Sequence, residues 1–208
     1  MARKMPKIWL SEDYEICVII MDYFGSLSSD EEIIRHLEQE KLTVSILKGI
    51  KPGSLGAEFY KIVFSEDNIL SMILKAHLII ERFLNIIIAN KFKNSSKLLE
   101  KTNFTFFLKL EVLNSKNYLD EVLYSDINQL NRIRNKFAHD LFYNTADFEL
   151  NKFYCWGELY NKVKLNSIQV KRKFNIFILK NILDFLLSRL TKKYPFISEI
   201  KFDNEILD

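Results

Sequence analysis

The stretch INQLNRIRNKFAHDL, residues 127–141, carries the strongest structural signal in the chain. It predicts an amphipathic helix with one face in a core, because its apolar residues recur at helical spacing. Those apolar residues are Ile127, Leu130, Ile133, Phe137 and Leu141. The residues between them are unusually polar for a packed helix and include cations and a histidine. The same stretch therefore predicts both a core helix and a candidate site.

Three polar residues of this helix have a defined relative geometry. Asn135 and His139 are four residues apart and therefore share a helix face. Arg134 precedes His139 by five residues, which places the two about 140° apart on a straight helix. A long arginine side chain can reach around that separation, and a helix that ends or bends near His139 would help it.

The composition favours a mainly helical fold. The 208 residues are enough for one good core, and 48% of them are hydrophobic. Only 5 glycines and 3 prolines occur, which disfavours a turn-rich β fold. The formal net charge of +3 permits an anionic partner without requiring one. We therefore predict an all-α protein.

The clearest break in the chain is the segment Lys51-Pro52-Gly53-Ser54 with Gly56. We interpret residues 1–56 as an N-terminal helical extension and residues 57–208 as the main helical domain. Within the extension, the short apolar segment 42–48 fits a strand or a helix equally well. Helices are predicted, with approximate bounds, over residues 9–24, 31–40, 67–92, 104–113, 125–139, 148–164 and 168–193.

The predicted helix over residues 67–92 is apolar around most of its circumference, with Leu70, Leu74, Leu78 and Leu84 widening its apolar face. Such a helix is usually buried between others. An acid on it, Glu81, must find a partner. Structural pairing with Arg134 or His77 is the simpler interpretation, and positioning of Arg134 is the alternative.

Several site classes and locations are disfavoured. Cys17 and Cys155 lie far apart without a CxxC pattern, which favours buried thiols and a cytoplasmic, reducing location. His77 and Glu81 have the spacing of metal ligands but no third ligand follows, so we expect neither a metal nor another cofactor. The N-terminus is a poor signal peptide, and no apolar run reaches the roughly 18 residues of a membrane span.

The motif supports a family resemblance. Arg134 to His139, Arg-Asn-Lys-Phe-Ala-His, resembles the R-x4–6-H motif of the HEPN superfamily, an all-helical group of nucleotide-binding domains. Residues 107–142, preceded by the helix that carries LIIERFLNIII at 78–88, are similar to the mannitol operon repressor-like branch. The resemblance covers roughly Ser65 to Asp147 and implies a HEPN-like helical bundle.

Many members of this superfamily are metal-independent ribonucleases, so the resemblance implies roles for particular residues. His139 would move the proton, which suits a histidine with a near-neutral pKa, and Arg134 would stabilise the charged phosphorane. Asn135 would hold the histidine ring or the phosphate. Arg132 and Lys136 would add phosphate contacts. Glu81 is a supporting residue in this scheme.

The resemblance also implies partners. In the superfamily, two motif helices usually meet across a dimer interface to form a composite cleft, so we expect a homodimer that binds RNA. Members serve mostly as toxins or antiphage effectors, which makes an antitoxin or sensor protein a plausible further partner. No membrane association is expected. The run Lys171-Arg172-Lys173 is interpreted as a solvated helix face rather than an RNA track.

Three functions follow from these observations. The first is an endoribonuclease of the toxin or antiphage type, which the intact Arg134-Asn135-x3-His139 pattern favours. The second is a non-catalytic helical regulator of the mannitol operon repressor-like kind, acting through protein contacts. The third is a nucleotide-binding module that uses the same groove without cleavage.

Overall fold

The computed structural model describes residues 12–39, 68–140, 142–154 and 156–199. This part of the chain contains α-helices and short 3₁₀ turns but no β-strand, so the predicted all-α class is confirmed for it. The helices are α1 (Glu12–Ser26), α2 (Asp30–Gln39), α3 (Ile69–Lys91), α4 (Ser95–Leu99), α5 (Phe106–Ser115), α6 (Glu121–His139), α7 (Gly157–Tyr160) and α8 (Ile168–Lys193).

The contacts divide the chain into two compact units. Among the residues described, the first unit contains 12–39 and 144–179, and the second contains 68–143 and 180–199. Helix α8 contributes its residues up to Leu179 to the first unit and the rest to the second.

Two predictions concern residues outside those described. They are the boundary at residue 56 and the assignment of segment 42–48. The environment of the Cys17 and Cys155 side chains also lies outside.

Helix α3 forms the centre of the second unit and packs against α5 and α6. Asn68 starts it by accepting a hydrogen bond from the Ser71 backbone nitrogen at 3.0 Å. Its buried residues are Met72, Ile73, Ala76, His77, Ile79, Ile80, Phe83, Leu84, Ile87 and Ile88. The predicted burial is thus confirmed for most of the helix, but Leu70 and Leu78 are 38% and 53% exposed and do not widen the buried face.

Helix α6 carries the motif and begins four residues before the predicted start at Ser125. The reason is a capping residue, because the Asp120 carboxylate accepts from the Leu123 backbone nitrogen at 2.9 Å. The apolar face predicted for this helix is confirmed at Ile127, Leu130 and Ile133, which are fully or almost fully buried. Phe137 is half-buried, and Leu141 lies outside the described residues.

The C-terminal part of α8 is tied to α6 by polar contacts within the second unit. Arg189 Nη1 lies 3.1 Å from Asp126 Oδ2, with side chains only 4% and 5% exposed. Lys193 pairs with Asp120 at 3.2 Å in a more exposed position. Just after the helix, the Tyr194 hydroxyl donates to the Tyr118 carbonyl, and burial raises the pKa of Tyr194 to about 12.

The first unit is organised around Asn175, which is completely buried on α8. Its Nδ2 atom donates to the Thr145 carbonyl at 2.6 Å, and its Oδ1 atom accepts from the Tyr160 hydroxyl. Phe24 of α1 contacts the Phe174 ring with centroids 5.3 Å apart. The buried Asn175 amide therefore provides hydrogen-bond partners for the Thr145 carbonyl and the Tyr160 hydroxyl beside an aromatic core.

The prediction of one helix over residues 148–164 is wrong. The segment contains the 3₁₀ turn Leu150–Lys152 and the single-turn helix α7 instead. Phe153 and Trp156 are buried, so the apolar spacing that predicted the helix does mark core residues. A smaller difference is the short helix α4, which lies between the predicted helices over 67–92 and 104–113.

A close backbone approach at Gly157 leads to a stability prediction. A Cβ atom at Gly157 would lie 2.5 Å from the Asn151 carbonyl oxygen, so Gly157→Ala forces the backbone apart. We expect a loss of about 1–3 kcal/mol in the free energy of unfolding, measured by urea denaturation. The control is Gly25→Ala in α1, where the nearest atom is 3.5 Å away and no loss is expected. Equal midpoints for the two variants would contradict the steric argument.

Candidate functional site

The motif arginine has an incompletely satisfied guanidinium group. Arg134 is half-buried on α6, and its Nη1 atom donates to Asn135 Oδ1 at 3.0 Å. Its Nε atom is buried and has no hydrogen-bond partner within the residues described. A buried donor left unpaired costs about 1–3 kcal/mol, which an anionic ligand could offset. The Nε atom of Arg82 on α3 is also buried without a hydrogen-bond partner among the residues described. The unpaired atom alone therefore does not distinguish Arg134, but its place in the motif does.

His139 lies at the C-terminal end of the motif helix. It is the last residue of α6 and is exposed, and Asp140 follows in an extended conformation. The helix thus ends at His139, the position near which an end or a bend would help Arg134 and His139 to serve one ligand. No hydrogen bond joins these two side chains, whose positions on the helix differ by about 140°. The His139 side chain is therefore accessible from solvent.

The other predicted contact residues line the same end of α6. Arg132, Asn135 and Lys136 are all exposed. The Lys136 ammonium lies 5.5 Å from the centroid of the Tyr143 ring, within the range of a cation–π contact. The motif end of the helix therefore presents three cations, counting Arg134, together with one histidine.

The chain after the motif turns back on the helix. The Asp140 carboxylate accepts from the Phe142 backbone nitrogen at 2.9 Å, which closes a short turn. The Tyr143 ring then packs edge-on against Phe137, with centroids 5.2 Å apart. This turn leaves the Phe142 side chain 91% exposed beside the motif.

The structure adds a second histidine to this region. The ring of His77 on α3 is buried, stacks on Phe106 with centroids 4.1 Å apart, and bonds through Nε2 to Asn131 Oδ1 at 3.0 Å. Asn131 precedes Arg134 by one helical turn on α6, so α3, α5 and α6 meet here. The sequence suggested Glu81 as a neighbour of His77 and did not suggest Asn131, which lies 54 residues away.

Glu81 has a different partner from the two that the sequence suggested. Its carboxylate lies 2.6 Å from the Lys109 ammonium of α5, and no hydrogen bond joins it to Arg134 or His77. The Lys109 side chain is only 9% exposed, so this pair compensates a buried cation. Glu81 therefore pairs with α5 and does not bond Arg134 directly.

The electrostatics of the cluster favour a neutral His77. Burial lowers the pKa of His77, and the nearby charges of Arg134 and Lys109 lower it further. The hydrogen bond to Asn131 and the charge of Glu81 oppose this shift without cancelling it. Arg134 is thus within electrostatic reach of a histidine that stays uncharged near neutral pH.

This lowered pKa predicts how stability depends on pH. Between the depressed folded-state pKa and the ordinary value of 6.5, the unfolded chain binds more protons at His77 than the folded chain does. The free energy of unfolding should therefore fall as the pH drops below about 6.5. His77→Gln should show a shallower fall in urea titrations at pH 7.5, 6.5 and 5.5. Identical slopes for wild type and variant would contradict the assignment.

The rest of the described chain offers no competing metal or membrane feature. No group of three or more histidine, cysteine, aspartate or glutamate side chains there could hold a metal ion. None of the helices described is long and apolar enough to cross a bilayer. Comparisons with protein-family models, curated proteins and solved structures give no match to this chain.

Proposed function

We propose that this protein is a metal-independent endoribonuclease of the HEPN type, built on a HEPN-like helical bundle. The observation that carries the proposal is the end of α6, where half-buried Arg134 has an unpaired Nε donor and His139 is exposed. A phosphate group is the ligand that a guanidinium fork with a free donor fits best. The function needs no cofactor.

The proposed reaction is an attack of the ribose 2′-hydroxyl on the adjacent phosphorus, with loss of the 5′-oxygen. His139 takes the 2′-hydroxyl proton or protonates the leaving oxygen. Arg134 stabilises the negative charge of the phosphorane. Asn135 accepts from Arg134 Nη1, so its proposed role is to orient the guanidinium group. Exposed Arg132 and Lys136 contact flanking phosphates.

We further propose a homodimer whose two motif helices share one cleft, which would supply a second proton-transfer group. Exposed apolar residues support it: Leu78 is 53%, Phe107 48% and Leu108 43% exposed in the second unit. Leu78 and Phe107 directly follow the stacked pair of His77 and Phe106. Large apolar side chains exposed on α3 and α5 are candidates for a protein interface.

The cellular role is proposed from the motif. We propose a cytoplasmic toxin or antiphage effector that is held in check by an antitoxin or switched on by a sensor protein. Expression in a host should be toxic, and His139→Ala should abolish the toxicity. If wild type and variant were equally harmless, the toxin role would fail even if the purified protein cleaves RNA.

The direct test is cleavage of several RNAs in EDTA by the purified full-length protein, by Arg134→Ala and by His139→Ala. We expect wild-type cleavage to survive EDTA and both variants to lose it while keeping the wild-type oligomeric state. The matched control is His36→Ala, which removes a histidine of α2 outside the motif and should keep full activity. Retained activity in either motif variant, or activity abolished by EDTA, would refute the mechanism.

The second candidate function is a non-catalytic regulator of the mannitol operon repressor-like kind. The exposed Leu78, Phe107 and Leu108 favour it, because such residues suit a protein partner as well as a second copy. A well-folded wild-type dimer that cleaves none of the RNAs tested would support this candidate over the ribonuclease.

A further inference from the structure

A long segment of the first unit and of α8 contains only positive charges. Between Glu158 and Asp184 there is no acidic residue. The basic residues in this interval are Lys162, Lys164, Lys171, Arg172, Lys173 and Lys180. In a chain with 30 basic and 27 acidic residues, this interval therefore carries an excess of positive charge.

Three of these residues lie in or just before the start of α8, and each is exposed or half-buried. Ser167 caps the helix by accepting from the Val170 backbone nitrogen at 3.2 Å. Val170 and the residue four positions later, Phe174, are buried. Arg172 lies on the opposite side of the helix and is exposed, whereas Lys171 lies about 80° from the midpoint of the buried pair and is half-buried. Lys164, in the connection before the helix, is also exposed.

The nearby acids do not neutralise these charges. Asp22 of α1 pairs with Lys162 at 2.9 Å, which removes that lysine from the positive surface. Asp30 of α2 accepts two hydrogen bonds from Asn166, each 3.3 Å long. Within the described residues, no carboxylate pairs with Lys164, Lys171 or Arg172. These three cations are therefore uncompensated.

Helix stability does not account for their position. The N-terminal end of a helix carries partial positive charge and favours acids, whereas Lys171 closes the first turn of α8 and no acid occupies that turn. A cation there is mildly destabilising, and adjacent Arg172 adds like-charge repulsion. An anionic partner would remove both effects.

We propose that Lys164, Lys171 and Arg172, here called the basic face, bind the phosphate backbone of RNA. The choice of RNA rests on the proposed function. Cations without an accompanying apolar surface suit a phosphate backbone. A membrane surface would require an apolar face as well, and Ile168 is the one large apolar residue exposed in α8. Lys171 and Arg172, in the run at 171–173, thus contact RNA and are not merely solvated.

The test measures binding separately from cleavage. The full-length His139→Ala protein, in which the proposed cleavage is blocked, is titrated with a fluorescent 20-nucleotide single-stranded RNA at several salt concentrations. The test variant adds Lys164→Gln, Lys171→Gln and Arg172→Gln. The control variant adds Lys93→Gln, Lys97→Gln and Lys101→Gln, which removes three exposed cations of the second unit and changes the net charge equally.

We expect the basic-face variant to bind at least 10-fold more weakly at 100 mM salt. The slope of log K against log salt should shrink by about 2, because each phosphate contact to a single strand contributes about 0.7. The control should change binding less than twofold. The single variants Lys164→Gln and Arg172→Gln should each lose part of the affinity, which keeps the test valid if the triple variant folds poorly.

Three results would overturn the proposal. The first two are equal losses of RNA binding in the two triple variants and no RNA binding by the parent protein. The third comes from titrating phosphatidylserine vesicles in place of the RNA, and it is a loss of vesicle binding in the basic-face variant while its RNA binding is unchanged. The proposed function fails separately. If the wild type binds RNA through the basic face but never cleaves it, the ribonuclease proposal is refuted and the binding surface stands.

Discussion

The Arg134→Lys variant is expected to cleave RNA about 100- to 1,000-fold more slowly than the wild type, although its charge is unchanged. Arg134 uses one guanidinium nitrogen to bond Asn135 and keeps a second, buried donor without a partner. A lysine ammonium is a point charge that cannot make both contacts in one plane. The measurement is the single-turnover cleavage rate in EDTA at saturating protein.

The matched control for this variant is Arg132→Lys. Arg132 lies two residues earlier on α6 but is exposed, so a lysine there would keep the charge that we propose to contact phosphate. Its cleavage rate should stay within about threefold of the wild type, as expected for an exposed charge. If Arg134→Lys were as active as Arg132→Lys, the guanidinium geometry would have no role in catalysis.

Asp126→Ala is expected to lower the free energy of unfolding by about 3–5 kcal/mol. Asp126 and Arg189 form an ion pair whose side chains are 5% and 4% exposed. Removing the carboxylate takes away a charge that compensates the buried guanidinium, which is far less favourable than losing the attraction alone. The measurement is urea denaturation at pH 7.

Two further variants separate the buried charge from a general loss of packing. Lys193→Ala breaks the more exposed pair with Asp120 and should cost about 0–1 kcal/mol. The double variant Asp126→Leu/Arg189→Met removes both charges and should be more stable than Asp126→Leu alone. If the double variant were less stable than the single one, an uncompensated charge would not be the cause.

The sequence predicted elements whose ends are marked by local chemistry. The predicted bounds 168–193 of the last helix match α8 as observed, because Ser167 caps its start and Pro195 prevents its continuation. The buried face of α6 could be predicted equally well, because its helical period can be read from the sequence alone. The start of α6 was missed because Asp120 was not recognised as a cap.

The contacts between helices could not be predicted in the same way. Glu81 bonds Lys109, 28 residues away, and His77 bonds Asn131, 54 residues away. Such pairs depend on how α3, α5 and α6 pack, and one sequence carries no local record of that packing. The prediction of a helix over 148–164 was wrong for a related reason. Burial of Phe153 and Trp156 in the core determines which positions are apolar, but it does not determine the backbone conformation.

For the candidate site, the family resemblance proposed the residues and the structure shows their surroundings. Arg134, Asn135 and His139 were proposed from the resemblance of their motif, and the observed helix ends at His139. The unpaired Nε atom of Arg134 and the neutral His77 beside it were not predictable, since both result from burial by other helices.

The pair formed by Lys109 and Glu81 also makes the protein suitable for covalent footprinting. Among the lysines described, Lys109 alone is buried, and its ammonium is held by a carboxylate. Amine-reactive reagents should therefore label exposed lysines such as Lys97 quickly and Lys109 only when α5 separates from α3. The labelling rate of this one residue, read by mass spectrometry, would report local opening of the second unit in the intact protein.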